Sequence, residues 1–252
     1  MNTLRYNISE SFNVVRWAIA IIIIAFVGVV NVYKYIELSD NVSITFSTLE
    51  TTYLILNDFM SIVYIYLPIY IFTICGIMNA DNFGLIEILK CGSRHRWVIS
   101  KLFTLLFYTC AFFTLLFAVS FFISNQVFPY SSSWSSDFVK TQVAFGESVH
   151  KFVQNPFITI LLQLGTLFLT YLISGAVSLW ISLKTSKESL ALLISILVGI
   201  IFSMTMFAVG FGKHGALLYI GQYTALSIIL IILVVTLCIT AKRKDFDMLK
   251  KV

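Results

Sequence analysis

Few residues in this 252-residue chain are placed to do covalent or acid–base chemistry. His95, His150 and His214 all fall between apolar runs, and no pair of acidic residues sits inside one. An intramembrane protease needs a buried nucleophile with its base, or a metal site. A proton-coupled carrier needs an intramembrane carboxylate or histidine. Asp58, at one end of an apolar run, is the nearest candidate, and its position reads as an interfacial cap. No G-x-x-x-x-G-K-[ST] and no H-E-x-x-H occurs, so the chain has neither a phosphate-binding P-loop nor a zinc-protease motif. Cys75, Cys91, Cys110 and Cys238 match no zinc spacing, and their places argue against a disulfide framework. The expectation is a protein that is not an enzyme and holds no metal or cofactor of its own.

The residues that could recognise a partner lie in Asn79–Lys101, NADNFGLIEILKCGSRHRWVISK. At about 100° per residue, Leu85, Ile86, Ile88 and Leu89 share one helical face. Phe83, Gly84, Glu87, Lys90 and Cys91 share the other. An aromatic beside a charge pair could anchor in a groove on a second protein. The plainer reading is an amphipathic linker resting on headgroups with Phe83 in lipid.

A second constellation is the stripe Thr159, Gln163, Thr166, Thr170 and Ser174, at helical spacing in one apolar run. Polar side chains in lipid must find partners, so the stripe should face protein or a water-filled cavity. It would line a transport path or a dimer seam, or simply join helices. Ser195, Gly199 and Ser203, four residues apart, read as a close-packing stripe.

These residues need apolar helices to position them. The chain is 59% hydrophobic and 12% charged, where soluble domains carry about 25% charged residues. Spans need about 20 apolar residues. Six such runs are expected at about 15–33, 59–78, 102–124, 157–181, 189–210 and 217–240, in a single all-α integral membrane domain over 1–252. Residues 2–16 read as an interfacial helix, with Leu4, Ile8, Phe12 and Val15 on one face. Pro68 is expected to kink the second span.

With both termini inside, all but Lys34, Lys140, Lys151 and Lys213 of the 17 Lys and Arg lie on the inner side. That asymmetry predicts an N-in, C-in multi-pass protein. The net charge of +5 needs no nucleic acid to explain it. Lys242, Arg243 and Lys244 read as an anchor to inner-leaflet lipid. Residues 34–57 form a polar outer loop. The larger outer loop, 125–156, opens with turn-rich Pro129–Ser136, which contains Trp134. It continues with Phe138, Phe145, Val149 and Phe152 on one helical face, an exit gate or a packing element.

The interfacial helix, the six spans and the amphipathic helix between spans two and three resemble the permease subunit of a bacterial type-2 ABC exporter, the type V exporter fold. That family's motif matches here at Asp81, Gly84, Leu85 with Leu89, Ser93-Arg94 and Lys101. Glu often stands where this chain has Asp81, and Pro where it has Gly92. The short link between spans five and six leaves little room for the re-entrant outer helices of many relatives.

The resemblance implies two permeases, copies or sisters, paired in the membrane with two cytosolic ATPases that bind ATP and Mg. Residues 79–96 would be the coupling helix, with Asp81, Phe83, Gly84, Glu87 and Lys90 at the contact. Arg94 and Arg96 would meet either the ATPase or inner-leaflet phosphates. A Phe-rich wall without charges suits an amphipathic or apolar cargo. The size and composition resemble Gram-positive permeases exporting amphipathic peptides such as phenol-soluble modulins, then lipid, drug and bacteriocin-immunity ABC permeases. The competing classes are the six-span substrate-binding subunit of a vitamin importer, which would not need the long amphipathic helix, and a membrane enzyme.

Overall fold

The computed structural model describes residues 8–9, 11–42, 44–78, 93–144, 152, 155–185, 188–210 and 216–249. The described residues form no strand. In chain order, the helices are α1 (Val14–Val42), α2 (Thr48–Asn57) and α3 (Leu67–Ile74). They are followed by α4 (Arg94–Val127), α5 (Ser136–Ala144), α6 (Pro156–Thr185), α7 (Glu188–Gly210) and α8 (Ala216–Leu249). A π-helical turn, Ser61–Tyr66, leads into α3, and a 3-10 turn, Cys75–Met78, ends it.

Among the described residues, four helices are long and apolar enough to cross a membrane: Val14–Asn41, His95–Val127, Pro156–Thr185 and Gly221–Ala241. A fifth crossing follows if Thr48–Asn57 and Ser61–Ile74, bent by 62°, count as one span. The chain is therefore a helical protein whose described residues hold four or five candidate spans, where six were expected. The expected span at 189–210 is helical as α7, Glu188–Gly210.

Several helices overrun their apolar segments. The first continues to Val42, through Lys34, Glu37 and Asp40. The fourth starts at Arg94, a turn and more before the apolar run. Apolar residues mark where lipid begins, whereas a helix ends where its backbone finds other partners. The expected 2–16 helix is interrupted. Phe12 N–H bonds the Ile8 carbonyl (3.0 Å), and then Asn13 starts a new helix, its Oδ1 accepting from Val15 N (3.0 Å) and Arg16 N (3.2 Å). Asn side chains favour this role at a helix start.

The core gathers on α6, which packs most extensively against α8 and α7. Gly199 allows the α7 approach: a Cβ there would lie 2.7 Å from Leu67 Cδ2 and from Ser174 Oγ. Tyr70, Phe112, Phe113 and Tyr171 form an aromatic centre, with Tyr70 and Tyr171 rings 5.2 Å apart. The Tyr70 and Thr109 hydroxyls share a hydrogen bond of 2.8 Å, which spares both a bare polar atom in an apolar core.

The bundle has two distinct ends. At one, Trp97 and Val98 of α4 meet Leu179 and Leu183 of α6 and Leu237 of α8. At the other, Thr48 N–H bonds the Pro129 carbonyl (2.9 Å) and Thr48 Oγ1 donates to the Phe128 carbonyl (2.7 Å). The N-terminal segment reaches α4 part-way along: Tyr108 Oη donates to the Ile8 carbonyl (3.0 Å) and lies 3.0 Å from Ser11 Oγ.

Candidate functional site

The segment expected to be a polar loop, 34–57, is largely structured and buried. Helix α2 hides Thr48, Leu49, Glu50, Thr51, Thr52 and Tyr53. Its start is a reciprocal cap: Glu50 N donates to Ser47 Oγ (3.3 Å), and Ser47 N donates to Glu50 Oε2 (2.8 Å). The other carboxylate oxygen of Glu50 accepts from Ser135 N. A fully buried carboxylate thus ties α2 to the loop before α5. Two backbone N–H donors compensate its burial, as a charge taken from water requires.

Aromatic side chains close this end. Trp134 stacks on Phe138 (5.2 Å, 6° between planes), and Phe152 meets both rings edge-on. Phe46 and Tyr53 also meet Phe138 edge-on, and Tyr53 meets Trp134 and Phe152 as well. Phe138 and Phe152 thus share one cluster, although the described helix α5 ends at Ala144, short of Phe152, and Phe145 and Val149 lie outside the described residues.

The break between α2 and the π turn carries most of the polar chemistry. Asp58 Oδ2 accepts from Ser61 N (2.9 Å) and Ser61 Oγ (2.6 Å), so Asp58 is the cap its position suggested. Lys34 Nζ stands 3.9 Å from Asp58 Oδ1. Asn31 Nδ2 reaches across from α1 to Ser61 Oγ (3.1 Å), and Gln163 Nε2 of α6 donates to Asn57 Oδ1 (3.1 Å). Tyr171 Oη donates to the Ile62 carbonyl (2.8 Å), which also accepts from Leu67 N. The Tyr66 hydroxyl, fully buried, has no hydrogen-bond partner among the described residues. The 62° bend therefore lies at Asp58 rather than at Pro68. Pro68 sits in the first turn of α3, just past the π turn. A regular α-helix there would press its ring on the Tyr64 carbonyl, and the wider turn relieves that.

The stripe residues come together on α6. Thr159, Thr166, Thr170 and Ser174 are buried, and each hydroxyl donates to a carbonyl of its own helix or, for Thr159, of Asn155 just before it. Gln163 reaches another element, donating to Asn57 Oδ1. Ser174 lies against Gly199, so this seam is covered from within the chain.

Of the expected coupling residues, Asp81, Phe83, Gly84, Glu87 and Lys90 lie outside the described residues. Arg94 is the first residue of α4, and nothing further of its side chain is described. Arg96 is exposed in the first turn, where its N–H bonds the capping Ser93 Oγ (3.3 Å). Lys101, expected to open the third span, sits inside α4, buried, with Nζ 5.9 Å from the Trp97 ring. Cys75, Cys110 and Cys238 are not joined by disulfides among the described residues, and no described group of His, Cys, Asp or Glu could hold a metal.

Sequence reasoning missed Glu50, the Asn31–Ser61 link and the Gln163–Asn57 link. The spacing Ser47-x-x-Glu50 is a capping-box signature and could have revealed the buried helix. The two cross-helix links leave no local pattern. No known protein family, curated protein or solved structure matches the chain.

Proposed function

We propose that the chain is the permease subunit of an ATP-driven exporter in a bacterial plasma membrane. In this reading it crosses the membrane six times with both termini in the cytosol. A separate cytosolic ATPase binds ATP and Mg and moves it. A second permease, copy or sister, completes the path, and the cargo is an amphipathic or hydrophobic molecule, a peptide in the favoured case.

The observation that carries this reading is the partition of the chain's chemistry between the two ends. One end holds the head of α4, the end of α6 and the attachment points of the 79–92 segment, among many of the chain's basic residues. The other is closed by α2, α5 and their aromatic cluster around Glu50. A wall with a basic side and a capped side suits a gate moved from the basic side. Positive charge belongs on the cytosolic face, which puts the 79–96 segment within reach of a soluble motor. Asp81, Phe83, Gly84, Glu87 and Lys90 form the proposed contact, with Arg94 beside them.

The test is affinity purification of the full chain from its host membrane, assayed for ATP hydrolysis. The expected result is co-purification of a P-loop ATPase, lost with Phe83→Asp while the permease stays folded. Purification without any ATPase, or an unaffected complex, overturns the reading.

A further inference from the structure

A groove opens between α4, α6 and α8 that the reading above does not use. Its volume is about 310 Å³, and Ile99, Leu106, Leu172, Ala176, Leu230 and Val234 line it. That is at the lower end of ligand-sized pockets, about 300–1,000 Å³. Its mouth is open: Phe103 is 55% and Leu106 38% exposed. On another face of α4, Trp97, Val98, Leu179 and Leu237 close up around a void of only about 10 Å³. The groove is therefore an apolar slot, open along α4 at Phe103 and Leu106.

Its charge setting is asymmetric. At about 100° per residue, His95 and Arg96 flank the line from Ile99 to Leu106. Both are exposed, one turn before the groove begins. They sit at the N-terminus of a 34-residue helix, where the backbone dipole favours an anion. Lys184, exposed in the last turn of α6, belongs to the same end. At 1.5 Å per residue, the slot runs from about 5 to about 15 Å beyond Arg96 along α4. That is the depth of acyl chain beneath a headgroup.

We propose that this slot is a binding site for an anionic phospholipid, one acyl chain lying along Ile99–Leu106 and the phosphate on Arg96. The apolar walls hold the chain, and the basic rim selects the headgroup. The proposal assigns Arg96 to lipid rather than to a protein partner. It requires only that the helices lie in a membrane, so it stands apart from the exporter reading.

The experiment is native mass spectrometry of the delipidated full chain, titrated with phosphatidylglycerol or phosphatidylcholine of identical acyl chains. The expected result is one phosphatidylglycerol bound at least about fivefold more tightly, as one basic contact near a lipid surface confers. Arg96→Gln should remove that preference and keep chain binding. Ala176→Leu, which fills the slot, should lose the tight site for both lipids. Lys140→Gln, at the opposite end, is the control and should change nothing. Equal binding of the two lipids, a preference that survives Arg96→Gln, or a tight site that survives Ala176→Leu in a folded protein overturns the proposal. So does a stable dimer of the chain that occupies the slot and excludes both lipids.

Discussion

Replacing Glu50 tests whether the capped end is built around one carboxylate. Glu50 is fully buried and accepts backbone N–H bonds from Ser47 and Ser135. A hydrogen bond to a charged group contributes about 1.5–3 kcal/mol. Glu50→Ala removes both and strands two donors, so the expected cost is about 3–6 kcal/mol. Against a total stability of about 5–15 kcal/mol, that is a large fraction. Glu50→Gln keeps one acceptor oxygen but turns an amide group toward the other donor, and should cost about half as much. Thr48→Val is the internal scale: it gives up one neutral bond to the Phe128 carbonyl, about 1 kcal/mol. The assay is reversible unfolding of the purified chain in mixed micelles, followed by circular dichroism. The order Ala worse than Gln worse than Thr48→Val supports the reasoning. A cost for Glu50→Ala no larger than that for Thr48→Val refutes it.

Other outcomes follow from the same packing. Gly199→Ala presses a methyl on Leu67 and Ser174 and should cost about 1–3 kcal/mol in that unfolding assay, whereas Gly221→Ala, with open space around it, should be neutral or slightly stabilising. Lys34→Met should cost under about 1 kcal/mol, because the Lys34 side chain is 64% exposed and its ion pair is long. Gln163→Leu should destabilise by about 1 kcal/mol through the Asn57 amide it strands, while Thr170→Val should be milder, since its hydroxyl bonds only its own helix. If both leave cargo-stimulated ATP turnover in the reconstituted complex unchanged, the stripe is packing and not a path.

The helical, membrane-compatible character of the chain was legible because long apolar runs have few competing structures. The runs at 102–124, 157–181 and 217–240 locate the middles of α4, α6 and α8. Helix ends were less legible. Lys34–Val42 continues α1 although it is polar, because polar side chains do not end a helix. The segment Thr48–Asn57 read as loop because Glu50 and three threonines dilute its hydrophobicity. Folding hides them through bonds to Ser47, Ser135, Phe128 and their own helix. At the candidate site, the capping role of Asp58 was readable from its position. Its neighbours Asn31 and Gln163 were not, since residues from three separate segments meet only after packing.

The most direct test of the gate reading places a photo-crosslinking amino acid at Phe83 in the full chain, in its host membrane. Irradiation should join position 83 to a P-loop ATPase, with a yield that changes when nucleotide is trapped. Adducts with lipid alone, while an ATPase is bound elsewhere or not at all, contradict the claim that a separate motor drives this chain through its 79–96 segment.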